Sequence, residues 1–180
     1  MSFRKTDERR VYDGHFVHVA IATFAGPDGG TIEREIIRHR GAVGVVALTA
    51  DGRSAVLVRQ YRPTIENDLL EIPAGMRDVE GEPPEETARR ELEEEAGLRA
   101  VGDLELLTEY VVAAGLTDEI FSLYLCRTTE ACEARPQSAE EELMEVVHVA
   151  LDDVPAMIAD GRIRDAKTII GLLLTRDRMV

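Results

Sequence analysis

Three glutamates, Glu91, Glu94 and Glu95, stand within the stretch RRELEEEAG, Arg89 to Gly97. On a helix, residues three and four apart share a face, and like charges at that spacing repel by about 0.2–0.5 kcal/mol per pair. Three carboxylates on one ridge therefore call for a counter-charge. Oxygen donors converging without histidine or thiolate suit a hard divalent cation, Mg²⁺ or Mn²⁺. Such an ion neutralises phosphate charge and activates water during substitution at phosphorus. The preceding turn, GMRDVEGE, adds Glu82 and can present backbone carbonyls to the same face. The plain alternative is a solvated acidic face balanced by Arg89 and Arg90.

These residues need elements to position them. From Pro83 to Ala96 the pattern is helical: Pro83 and Pro84 suit a first turn, and Gly97 suits a left-handed stop. Ala88, Leu92 and Ala96 recur every four residues and give this helix a core face. Ahead of it, VYDGHFVHVAIATF reads as a strand, GPDGG as a turn and TIEREIIRH as the returning strand. GAVGVVALT is a continuous apolar run with the length of a buried strand, and SAVLVRQY and LLEIPAG add two more. After the helix come LELLTEYVVA, IFSLYLC and MEVVHVAL, separated by the loop AGLTDE and a polar stretch from Thr128 to Glu142. DDVPAMIADG predicts a short helix and DAKTIIGLLLTR a longer one. Strands outnumber helices and alternate with them in groups, which predicts an α/β fold, a mixed sheet packed between helices, preceded by an N-terminal hairpin.

The chain of 180 residues is long enough to bury a real core, and its formal net charge of −14 argues against nucleic acid or an anionic membrane as partner. Nine of its acids fall between Asp78 and Glu95. No apolar run approaches the roughly 18 residues of a spanning helix. The N-terminus, MSFRKTDERR, is too charged for a secretory signal, so a cytoplasmic location is expected. Cys126 and Cys132 form no CxxC pair and read as reduced thiols. The four scattered histidines make no HExxH motif, which speaks against a zinc site.

From Gly75 to Leu98 the sequence resembles the Nudix box: a glycine, five residues, Glu, seven residues, then Arg-Glu-aliphatic-x-Glu-Glu-x-Gly-aliphatic. Glu82 is followed after seven residues by Arg90, Glu91, Leu92, Glu93, Glu94, Glu95, Ala96, Gly97 and Leu98, matching every defined position of that half. Six residues rather than five separate Gly75 from Glu82, a one-residue insertion that costs a turn little. The segments REIIRHRGAVGVVAL, AVLVRQYRP, LLEIPAG and EEELMEV are similar to those of ADP-ribose pyrophosphatases in the same superfamily. The resemblance implies a Nudix α/β/α sandwich over residues 41–180. It also implies a homodimer in which the strands of residues 1–40 help to build the partner's adenosine pocket.

Roles follow from the same resemblance. It assigns metal binding to Glu91, Glu95 and the backbone carbonyl of Ala74, with Glu94 as a further ligand or a group orienting water. It places the proton-accepting base on the late acidic loop at Glu140 and a second metal contact at Glu142; a shift of one residue would promote Glu141 instead. Gly75, Glu82, Arg90 and Gly97 become the structural residues of the box, with Glu82 and Arg90 as an ion pair. Arg62 is assigned to the diphosphate, since a guanidinium at a strand end can hold phosphate bidentately. Arg59 could share that role or lie on the surface. Arg34 and Glu35 fall where the family contacts adenine.

The expected substrate is a small nucleoside-diphosphate sugar, ADP-ribose above all, cleaved with Mg²⁺ (Mn²⁺ substituting) to AMP and ribose 5-phosphate. Ala114 stands where ADP-ribose pyrophosphatases carry proline, within AAGLTDE, which keeps ADP-glucose and GDP-mannose open as substrates. A non-catalytic nucleotide-sugar sensor is the rival from another class.

Overall fold

The computed structural model describes residues 2–127, 129–134 and 141–179. They form two compact units, one of residues 1–41 with 110–121, the other of residues 42–109 with 122–180.

The first unit is an antiparallel three-stranded sheet in the order β1 (Arg4–Asp13), β2 (His18–Ala25), β3 (Thr31–Arg38). The sequence predicts one strand from Val11 to Phe24. The chain instead turns at Gly14, where the N–H donates to Val17 O at 2.8 Å, and the charged residues before it pair as β1. Every residue of β1 is exposed, so β1 offers no alternation of apolar and polar residues to read. The segment 113–119, which contains Ala114, fastens to the end of β3. Ile37 N–H donates to Leu116 O at 2.9 Å, His39 N–H to Asp118 at 2.9 Å, and Arg38 to Asp118 at 2.7 Å. Arg38 also grips Glu8, and with help from Lys5 it holds that carboxyl down to about 2.

The second unit is built on a seven-stranded sheet. Its main path is β12 (Glu145–Ala150), β5 (Ser54–Arg62), β4 (Ala42–Leu48), β10 (Ile120–Cys126) and β9 (Glu105–Val111). β6 (Asn67–Glu71) also pairs with β5, and β7 (Ala74–Met76) with β4. The ends of β9 and β10 and their connection count with the first unit. The three-residue strands β8 (Leu98–Ala100) and β11 (Thr129–Ala131) pair with each other.

The helices are α1 (Pro84–Ala96), α2 (Val154–Ala159) and α3 (Ala166–Met179). β4 is buried at every position, as its apolar run predicted, because a helix covers each of its faces. Val43, Val45 and Ala47 share a core with Ala88, Leu92 and Ala96 of α1. Val46, which alternation places on the other face, meets Gly171 of α3. A Cβ at Gly171 would lie 2.8 Å from Val46 Cγ2 and 3.4 Å from Leu123 Cδ1. Overpacking of this kind costs about 1–3 kcal/mol, against the roughly 1 kcal/mol that alanine gains over glycine within a helix. Gly171→Ala should therefore lower the melting temperature, and a rise in a thermal scan would contradict this packing.

Candidate active site

The site is a strand–turn–helix unit. β7 is held against β4 with Ala74 opposite Gly44 and Gly75 opposite Val43. A turn through Gly81 (φ +80°) leads into α1, where Glu82 N–H donates to Val79 O at 3.2 Å. Pro84 occupies the first helical turn and no side chain caps the end. The Thr87 hydroxyl ties that end together by donating to Glu82 at 2.7 Å and to Pro83 O at 3.3 Å. Gly97 closes the helix in the left-handed region (φ 61°, ψ 34°), its N–H on Glu93 O at 3.2 Å.

α1 lays two of its glutamates, one turn apart, against β7. The Glu95 carboxylate accepts the Ala74 N–H at 2.9 Å. Glu91, only 9% exposed, comes so close to Gly75 that a Cβ there would stand 2.2 Å from Glu91 Cδ. Glycine at position 75 is thus a requirement of close approach rather than of backbone conformation.

Arg90 is the counter-charge that the chain supplies. Its Nη1 lies 2.9 Å from Glu91 and 3.0 Å from Glu94, and its Nη2 lies 3.2 Å from Asp78 and 3.5 Å from Glu82. Burial works against the guanidinium's charge, but Glu91, Glu94 and Glu82 outweigh it and raise its pKa. One guanidinium does not balance the four carboxylates it meets, Asp78, Glu82, Glu91 and Glu94, and its buried Nε has no partner. Among the described residues, no three His, Cys, Asp or Glu side chains form a ready metal cage. The donor set nonetheless fits a hard divalent ion: carboxylates in excess of cations, two of them packed on a backbone strand.

Other expected site residues are placed as follows. Arg62 gives its Nε and Nη2 to Glu71, both at 2.7 Å. Arg59 lies 3.3 Å from Glu145, its cross-strand neighbour on β12. Arg34 and Glu35 are exposed on β3 of the first unit, where Arg34 donates to Glu33 O at 2.7 Å. Glu142 is exposed on a short 3₁₀ turn, Glu141–Leu143, while Glu140 lies outside the described residues.

The partners behind Arg62 are not among the residues expected from the sequence. Glu71 is 1% exposed and also receives Lys167 Nζ. Lys167 pairs with Asp165 at 3.0 Å, and Asp165 accepts the Thr168 N–H at 2.9 Å and hydroxyl at 2.6 Å. A glutamate inside the apolar LLEIP was the available signal, since a buried charge must find a partner.

Known proteins share this architecture. The NUDIX domain family model matches residues 38–170. An ADP-ribose pyrophosphatase of Bacillus subtilis is 35% identical over 161 residues, 89% of this chain and 85% of that protein. A methanol dehydrogenase activator of Bacillus methanolicus is 36% identical over 168 residues, 93% of this chain and 88% of its own. A crystal structure described as an ADP compounds hydrolase superposes with a TM-score of 0.87 at 22% identity, covering 99% of this chain and 95% of that one, which establishes the shared fold. With the family's domain spanning most of the chain and its glutamate helix packed on the glycine strand, the protein belongs to the Nudix family.

Proposed function

We propose that the protein hydrolyses the diphosphate bond of a nucleoside-diphosphate sugar, ADP-ribose first among them, to AMP and ribose 5-phosphate. The observation that carries this reading is the placement of Glu91 and Glu95 against Gly75 and Ala74. The chain's likeness to the ADP-ribose pyrophosphatase of Bacillus subtilis supports the substrate class.

Glu91 and Glu95, with the Ala74 carbonyl and assistance from Glu94, would hold Mg²⁺, or Mn²⁺ in its place. When bound, the ion supplies charge neutralisation at the diphosphate and a more acidic water. Arg62 keeps Nε and Nη2 on Glu71 and would offer its remaining Nη1 to a phosphate oxygen. Glu140 would accept the proton of the attacking water, and Glu142 would be a further contact for the ion. Arg34 and Glu35 serve the adenine end within a homodimer formed through the N-terminal strands, and the protein works in the cytoplasm. Exposed Tyr12, within the fully exposed β1, and exposed Phe16 just after it support such an interface. No helix among the described residues is long and apolar enough to cross a membrane.

The test is incubation with ADP-ribose, ADP-glucose and GDP-mannose, each with Mg²⁺, while mononucleotide release is followed. AMP released fastest from ADP-ribose is the expected result; binding without product across the panel would contradict the reading. Gly75→Ala gives a second check. The Glu91 carboxylate is the far end of a flexible side chain, so it can swing away from the new Cβ with little loss of stability. Displacing a reacting or ion-holding group by about 1 Å can cost a hundredfold in rate. Turnover should fall at least that far at nearly unchanged melting temperature, and wild-type kinetics would count against the role of Glu91.

A further inference from the structure

Behind the strand that carries Ala74 lies a buried polar cluster in which only Arg62 has a place in the proposed chemistry. Glu71 ends β6 almost wholly buried and is gripped by Arg62 from β5 and by Lys167 from the first turn of α3. In the same turn the Thr168 hydroxyl accepts the Ile72 N–H at 2.9 Å and donates to Asp165 at 2.6 Å. Two acids, Glu71 and Asp165, balance two bases, Arg62 and Lys167, which is the condition under which charges are tolerated at such depth.

From Ile72 only Pro73 intervenes before the Ala74 N–H that Glu95 accepts. Pro73 has a fixed φ, and its carbonyl accepts the Val45 N–H at 2.9 Å. A short strap pinned at Glu71 and Ile72 has little freedom left at Ala74.

We propose that Lys167 and Thr168 are positioning residues: through Glu71 and Ile72 they fix the strap of residues 71–74 so that Ala74 stays in place against Glu95. The inference rests on the assignment of Ala74, Glu91 and Glu95 as ion-binding groups. Outer partners of this kind typically govern about 10–100-fold in metal affinity.

The variants are Thr168→Val and Lys167→Met, with Thr168→Ser and Lys167→Arg as conservative rescues. Amide hydrogen exchange in the metal-free protein reads the strap, and Mn²⁺ titration calorimetry reads the ion. Thr168→Val should speed exchange at Ala74 about tenfold while core amides such as Leu57 and Leu123 keep wild-type rates. Mn²⁺ affinity should fall about tenfold in both primary variants and recover in both rescues. Unchanged exchange at Ala74 with unchanged Mn²⁺ affinity would overturn the proposal. If wild-type protein takes up no Mn²⁺, the ion assignment fails, and exchange at Ala74 still decides the positioning role. Should Thr168→Val not fold, Lys167→Met carries both readouts.

Discussion

Replacing Glu95 by glutamine should cost about three orders of magnitude in turnover while the fold stands. The side chain meets β7 through a hydrogen bond from Ala74 N–H at 2.9 Å, and the glutamine amide oxygen can still accept it. What the substitution removes is a negative charge and an ion-binding oxygen. An ion at a phosphoryl centre supplies several kcal/mol of transition-state stabilisation, and each 1.36 kcal/mol is about tenfold in rate. Glu93→Gln is the control: Glu93 lies on the same helix but pairs with Arg99 at 2.8 Å, outside the ridge, so near-normal turnover is expected of it. Steady-state kinetics against Mg²⁺ concentration with a melting curve for each variant decide the matter. A Glu95→Gln protein with near-normal kcat and unaltered metal dependence would refute the assignment.

Glu71→Gln should produce the largest loss of stability. Removing one partner of a buried ion pair costs about 3–5 kcal/mol, because the remaining charge is left without compensation. The expected loss sits near the lower end, about 3 kcal/mol, since Lys167 keeps Asp165 at 3.0 Å and Arg62 is partly exposed to water. The effect should depend on pH in a definite direction. Burial pushes the Glu71 carboxyl up, but Arg62 and Lys167 together hold it below its ordinary value. A carboxyl depressed in the folded state contributes stability that is present above its unfolded pKa and lost as pH falls through its folded one. The gap between wild type and Glu71→Gln should thus be full near neutrality and shrink as the pH drops below about 4. Urea unfolding at pH 7 and at successively lower pH measures it, and a gap that widens in acid would contradict the pairing.

The elements that could be read from the sequence are those whose signals are local. α1 was expected over Pro83–Ala96 and spans Pro84–Ala96, because prolines open it, glycine closes it and its apolar residues recur every four. β4 announced itself as an apolar run because helices bury both its faces. β1 escaped because its residues are charged and exposed, and pairing with β2 rather than its own pattern makes it a strand. β8 and β11, at three residues each, are too short to show any periodicity.

The site divides along the same line. Glu91 and Glu95 could be placed on one ridge from helical spacing alone, and Gly75 could be named from the box. That Glu91 fills the space a Cβ would take at Gly75 is a tertiary fact that spacing does not carry. The counter-charge to the ridge, first sought outside the chain, is supplied in part by Arg90, one residue before Glu91. The bond between Glu71 and Lys167 joins residues 96 apart, and nothing local in the sequence pairs them.

The most direct test of the account is a crystal soaked with Mn²⁺ and a nonhydrolysable ADP-ribose analogue, read by anomalous scattering. The account predicts a peak at coordination distance, about 2.0–2.2 Å, from the Glu91 and Glu95 carboxylates, with the diphosphate on its far side. A bound analogue whose diphosphate lies elsewhere, with no metal peak along α1, would contradict it.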